Sequence, residues 1–258
     1  MREHDAPTAA AGEPLDRPAF YALRSGGWRD LVTLLHPPYT AWHLSYVALG
    51  AAAAPQIHLG RLLATLGAFF LAVGVSAHAL DELNGRPLKT QLSDRSLTAL
   101  ASLSLVGAIG IGIAGLFLVS VTLAPFVVVG SFLVVAYNLE LVGGRFHTDF
   151  WFAAAWGAFP ALTSWWANTL SLERPGELAA GLLVAAGCFG LSVAQRRLSA
   201  PVRVLRRRTA SIGGEQRLKD GTSVPLSVEG LASPLDGALR ALSWAVVALA
   251  AGLVALRL

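Results

Sequence analysis

The sequence predicts an all-α fold, a polytopic membrane helical bundle of about seven transmembrane helices. Three observations predict it. Hydrophobic residues make up 54% of the chain and charged residues only 14%, against about a quarter charged in a soluble domain. Apolar runs able to cross a bilayer, which takes roughly 20 residues each, recur along the chain. Arg and Lys are shared very unequally between the alternating connections of those runs, which supports an odd number of spans.

The first 17 or so residues mix Ala, Pro and charge and are expected to be disordered. The first 38 residues contain no short apolar core with a cleavage site, so no secretory signal is expected. Between Pro18 and Leu35, the residues Phe20, Leu23, Trp28, Leu31, Leu34 and Leu35 are interspersed with Arg24, Arg29 and Asp30. That pattern predicts an interfacial amphipathic helix or helix pair, broken at Gly26-Gly27. His36-Pro37-Pro38 then turns the chain into the first span, because the position before a proline disfavours helix.

The seven spans are read at about Tyr39–Pro55, His58–Leu80, Ser96–Leu118, Val121–Tyr137, Phe150–Asn168, Leu178–Ala194 and Leu235–Leu256. The third and fourth nearly abut, so they form a tight hairpin. Gly107, Gly110, Gly112 and Gly115 in the third predict close helix approach. In the fifth, Trp151 and the Trp165-Trp166 pair fall near the two ends, where aromatic belts sit. Trp156 lies deeper and reads as lipid or core packing, with a cavity wall as the alternative. The single Cys188 lies in an apolar run, so there is no disulfide framework. This gives a tail with an interfacial helix (1–38), a six-helix core (39–194), a basic cytosolic loop (195–234) and a C-terminal helix (235–258).

Of the 20 Lys and Arg residues, all but Arg61, Arg174 and Arg257 fall on one side of this arrangement. By the positive-inside rule that side is cytosolic, placing the N-terminus in the cytosol and the C-terminus outside a cell (inner or plasma) membrane. The pI near 9.7 then reflects topology and attraction to anionic membrane lipids, and no nucleic acid is expected as a partner.

The second span ends in VSAHALDELNGRPLKTQLS, Val75 to Ser93. His78, Asp81 and Glu82 stand at i, i+3 and i+4, a spacing that puts all three on one helical face. Two carboxylates beside an imidazole can hold Mg²⁺, which binds through one or two carboxylates plus substrate phosphates. Helix capping, with ion pairing to Arg86 or Lys89, is the alternative. The sixth span ends in Gln195, Arg196 and Arg197, and arginine forks match phosphate bidentately. Positive-inside anchoring is the alternative for these two and accounts for most of the run from Arg203 to Arg208. His147 and Asp149 form a smaller polar cluster, read mainly as a helix-start cap at Thr148 or Asp149.

This order of motifs resembles the UbiA superfamily of intramembrane prenyltransferases, over roughly Leu34 to Gln195. The resemblance is diffuse and rests mainly on Arg86-Pro87-Leu88, within GRPLKTQLSDRSLTAL, and on the passage AYNLELVGGRFHTDFWFAAAWGAFPAL. The family's Asn-Asp-x-x-Asp-x-x-x-Asp motif after its second helix would place Asp81 at the second aspartate. Ala77, His78 and Gly85 stand at the other motif positions, and Gln195, Arg196 and Arg197 occupy the place of the family's second acidic motif. The resemblance implies Mg²⁺ held by Asp81 and Glu82, and a prenyl diphosphate or other isoprenoid lipid as ligand. Catalysis would involve Asp81, Glu82 and His78, and the diphosphate would meet Arg86, Lys89, Gln195, Arg196 and Arg197. Prenyl transfer and cyclisation both remain open. So does a non-catalytic protein that binds an isoprenoid or anionic lipid, or scaffolds a partner enzyme.

Overall fold

The computed structural model describes residues 18–258, and the tail expected up to about residue 17 lies outside them. The described chain forms seven helical rods. A short helix, α1 (Trp28–Leu34), precedes α2 (Pro37–Ala53), the first rod. The second rod joins α3 (Leu59–Phe69), a π-helical stretch (Phe70–Ala77) and α4 (His78–Leu83). Then come α5 (Asp94–Leu118) and, through a 3₁₀ turn, α6 (Ala124–Asn138) and the irregular α7 (Leu141–Gly144). The fifth rod is α8 (Asp149–Ala153), a second π-helical stretch (Ala154–Ala158) and α9 (Phe159–Thr169). The last two rods are α10 (Pro175–Arg208) and α11 (Val228–Arg257). Between them, β1 (Glu215–Arg217) and β2 (Ser223–Pro225) form a hairpin with Gln216 opposite Val224.

Five rods are long and apolar enough to cross a membrane: Leu59–Leu83, Asp94–Leu118, Val121–Asn138, Pro175–Arg208 and Val228–Arg257. Their outer faces carry exposed Leu103, Val106, Phe117, Val128, Leu183 and Leu249, an apolar coat suited to lipid rather than water. The other two rods are the inner ones, which explains why they fall short. On α2, Trp42, Tyr46 and Val47 are fully buried, and on the fifth rod Ala155, Ala161 and Ser164 are too. Neighbouring helices rather than lipid cover them, so they carry more polar and small residues for their length.

Sequence features account for the helix ends. Ser93 caps α5, its hydroxyl accepting from the Ser96 amide at 3.1 Å, and Thr148 caps α8 from the Trp151 amide at 3.3 Å. Each satisfies a donor that the first turn leaves open. The chain breaks before α1 at Gly26 and Gly27, both at positive φ, as expected of residues free of a Cβ penalty. In the tight hairpin, Ser120 accepts from the Thr122 amide at 3.2 Å. At the opposite end from α1, arginines close exposed helix ends. Arg61 donates to the Ala167 carbonyl at 3.1 Å, and Arg257 donates to Ala54 and Pro55.

The sequence-predicted loop over 195–234 is corrected. Helix α10 continues to Arg208 and α11 begins at Val228, so the connection is confined to residues 209–227. The basic residues after Gln195 are good helix formers, and Pro201 and Pro234 are both accommodated inside helices. Asp220-Gly221 does turn the chain, at the tip of the hairpin, where the Gly221 amide donates to Leu218.

Close approach depends on particular glycines. In α5, a Cβ at Gly112 would press on Val127, whereas one at Gly110 would meet nothing within 4 Å. Two glycines elsewhere face backbone atoms: Gly50 lies against the Ala161 backbone, and a Cβ at Gly157 would come within 2.7 Å of the Cys188 carbonyl oxygen. Gly157→Ala should therefore destabilise the detergent-solubilised protein by about 1–3 kcal/mol through overpacking. Gly187→Ala, with nothing within 4 Å of its Cβ, should leave the melting temperature unchanged or slightly higher. Equal melting temperatures for the two variants would refute the close approach of the second π-helical stretch to α10.

Candidate functional site

A polar cavity of about 1020 Å³, including its open mouth, lies at the α1 end of the bundle. His36, Tyr39 and His43 of the α2 entry line it, with His78 and Asp81 of α4, and Tyr137 at the end of α6. His147, Phe152 and Trp156 add a further wall, and α10 contributes Gln195, Arg196, Arg203 and Arg207. Pro18 to Tyr21 lie across one side, where the Pro18 carbonyl accepts from Arg207 Nε at 3.1 Å. A second cavity, about 930 Å³ and almost wholly apolar, runs between α3, α5, α6 and α9 towards Arg61. Val73 and Trp156 line both cavities. Each sits in one of the two π-helical stretches, distortions that are frequent at functional sites. Trp156 is therefore a cavity wall as well as a packed side chain.

The expected site residues divide sharply. His78, Asp81, Gln195 and Arg196 reach the polar cavity. Glu82 does not: it is fully buried and turned into the following loop. Its carboxylate accepts from the Leu88 amide at 2.9 Å, the Thr90 amide at 2.8 Å and the Thr90 hydroxyl at 2.9 Å. Adjacent helical residues point about 100° apart, so Asp81 and Glu82 cannot both serve one cavity here. Arg86 is a second organiser of the same loop, donating to the Thr90 and Leu92 carbonyls and pairing with Asp94. Lys89 and Arg197 are exposed outside the cavity. Arg86 and Lys89, both at positive φ, shape a turn whose Pro87 touches the cavity.

These placements bear on a metal. With Glu82 engaged by three donors, the two-carboxylate Mg²⁺ site expected at Asp81 and Glu82 does not assemble. Among the described residues, no group of three or more His, Cys, Asp or Glu is arranged to hold a metal ion.

Positive charge comes instead from one face of α10. Arg196, Arg203 and Arg207 are spaced 7 and 4 residues apart, about two turns and one turn of helix, so they point into the same cavity. The intervening Arg206 points elsewhere, donating to Asp236 Oδ2 at 2.6 Å and 2.9 Å from two nitrogens. Arg196 also donates to Asp149 Oδ1 at 2.7 Å and lies over the Phe152 ring. That hydrogen bond holds the Asp149 carboxyl below the usual carboxylate range, so the pair is intact at neutral pH and loosens only in acid. The sequence reading assigned Arg203 and Arg207 to anchoring. The signal that would have separated them from Arg206 and Arg208 was their helical spacing from Arg196.

Four of the five histidines among the described residues line the cavity: His36, His43, His78 and His147. His36 occupies the left-handed region at φ 46, which costs a non-glycine residue roughly 1–2 kcal/mol. Its ring lies on His78, with centroids 4.0 Å apart. His147 stacks on Tyr137. Comparison with known proteins gives no match to a family model, to a curated protein or to a solved structure.

Glu82→Gln should cost about 2–3 kcal/mol, since hydrogen bonds to a buried charged acceptor are among the stronger ones. It should also speed proteolysis between Asn84 and Leu92. Asp81→Asn should melt like the parent, because the donors that pin the loop, the Leu88 and Thr90 amides and the Thr90 hydroxyl, go to Glu82 instead. Thermal melts and limited proteolysis would show the reverse order if Asp81 were the structural acid.

Proposed function

We propose that this chain is a UbiA-like integral membrane protein that acts on an isoprenoid diphosphate, by prenyl transfer or by cyclisation. The diphosphate would lie in the polar cavity against Arg196, Arg203 and Arg207, with its chain in the adjoining apolar cavity. One observation carries this reading: an arginine-lined cavity and an apolar cavity of similar size meet at Val73 and Trp156. An amphiphile with an anionic head and a long apolar chain matches that pair, whereas a small polar solute would leave the apolar half unused.

Cleavage of the allylic C–O bond places growing negative charge on the diphosphate. Guanidinium groups held in place by the fold stabilise that charge with little reorganisation, usually the largest contribution to such a rate. Asp81, across the cavity, would help hold the arginines in place before the ligand enters. The alternative, a non-catalytic binder of an isoprenoid or anionic lipid, is favoured by the engagement of Glu82, Asp149 and Asp236 with donors. Release of inorganic diphosphate separates the two readings.

The purified protein should bind farnesyl diphosphate with or without EDTA. Arg203→Ala should weaken binding on the order of tenfold to a hundredfold, the equivalent of one charge-assisted hydrogen bond. Arg197→Ala should bind like the parent. Affinity that ignores Arg203, or that farnesol matches, would remove the reading.

Seven spans with the cavity facing the cytosol follow from the same reading. Arg61, at the far end of the apolar cavity, and Arg257 both close helix ends away from the polar cavity. Reporter fusions at Met1 and Leu258 should label opposite faces of the membrane, the first cytosolic. Both on one face would exclude the seven-span arrangement.

A further inference from the structure

His36, His78 and His147 come from three separate parts of the chain, yet each ring is held in the same way. His36 Nδ1 lies 2.7 Å from the Leu34 carbonyl oxygen, His78 Nδ1 3.0 Å from Gly74 and His147 Nδ1 3.0 Å from Tyr137. A carbonyl can only accept, so each neutral ring carries its proton on Nδ1 and leaves Nε2 as a lone pair. No described residue bonds any of these three Nε2 atoms, and none of them is among the sealed polar atoms that lack a partner. They are therefore open to the cavity that all three residues line. His43 is the contrast: its Nε2 meets Gln195 Oε1 at 3.1 Å, and its Nδ1 is sealed in the wall.

His36 and His78 form the closest pair, with rings tilted by 30°. Two imidazolium ions at that separation would repel, so at most one of the pair takes a proton. Burial, reinforced by His78 alongside, holds His36 well below the usual imidazole range. The ring reaches this place only because His36 adopts a left-handed backbone directly before Pro37, a conformation that the proline opposes. Tyr137, Phe152 and Trp156 present aromatic rings to the same cavity, and such faces favour a cation.

We propose that Nε2 of the stacked His36–His78 pair is the proton acceptor of the reaction run in this cavity. The inference rests on the isoprenoid diphosphate reading. When the C–O bond breaks, its electron pair leaves on the diphosphate and an allylic cation remains. One proton must then depart. In cyclisation it comes from a C–H beside the cation, and that bonding pair closes an alkene. In transfer it comes from the O–H of the nucleophile whose lone pair forms the new bond to carbon. Both routes deliver the proton to a neutral imidazole Nε2, and neither needs an oxidant or a reductant.

The test uses the full chain in lipid nanodiscs, with farnesyl diphosphate as the probe and p-cresol present or absent. In the parent protein, diethyl pyrocarbonate should modify His36 and His78 at neutral pH, and farnesyl diphosphate should protect both. With p-cresol absent, hydrocarbon products report loss of a C–H proton; with it present, the cresyl ether reports loss of an O–H proton. His36→Gln combined with His78→Gln should keep Arg203-dependent binding of farnesyl diphosphate. It should lower hydrocarbon or ether formation on the order of a hundredfold, the scale of a lost general base, while farnesol from capture by water gains share. An unchanged product ratio in the double variant overturns the histidine role. So does farnesyl diphosphate that binds without turnover, or inert His36 and His78 in the parent protein. These outcomes leave the ligand reading standing, whereas absence of Arg203-dependent binding removes both.

Discussion

A lipid-facing bundle offers its polar groups no water, so each must find a partner inside the protein or carry the cost of being left alone. That constraint organises the whole cavity end of this molecule. Glu82 meets it completely, with three donors on two oxygens, and so becomes the pin of the loop that follows α4. Arg206 and Asp236 meet it by pairing with each other. Asn138 and Asn168 turn their amides back to carbonyls one turn earlier, on Val134 and Ser164. Asp236 and Asn138 do so while also lining the polar cavity.

Hydrogen bonding separates some neighbouring residues of the same chemistry here. Asp81 and Glu82 are neighbours with the same chemistry, yet one is locked and the other lines the cavity. Arg203 and Arg206 differ in the same way, one facing the cavity and the other held by Asp236 and Glu229. The histidines add a finer case, because a single ring can be half engaged. Its Nδ1 is committed to the backbone, which fixes the tautomer, and its Nε2 stays open. Loops tied by such bonds are themselves linked: Asp30 accepts from the Gly26 amide at 3.0 Å and the Gln91 amide at 3.1 Å. The segment before α2 and the loop after α4 therefore form one rim.

The two π-helical stretches serve a different end. Each inserts extra backbone into a rod that would otherwise be regular, and the rods meet where Val73 packs with Ala155 and Trp156. The packed seam leaves open volume on both sides, polar towards α10 and apolar towards α5 and α6. Helices α2 and α9, pressed together at Gly50 and Ala161, form the inner wall behind it.

The sequence by itself determined the helices, the tight hairpin between the third and fourth spans, the break at Gly26-Gly27 and a helix start at Thr148 or Asp149. Each depends on local periodicity, a short side chain or a turn residue that acts within a few positions. It also marked His78, Asp81 and Arg196 as chemically interesting, since polar residues at the ends of apolar runs stand out in any such chain. Only the tertiary structure decided which of them share a cavity. It turned Glu82, Arg86 and Lys89 to the loop and Arg197 outward, extended α10 through Arg208, and brought in His36, His147, Arg203 and Arg207. The reason is geometric: successive helical residues point about 100° apart, so one position decides between a cavity and its supporting loop. Which way each side chain faces depends on the rotation of a rod against the other rods it packs on, and no local pattern contains that rotation.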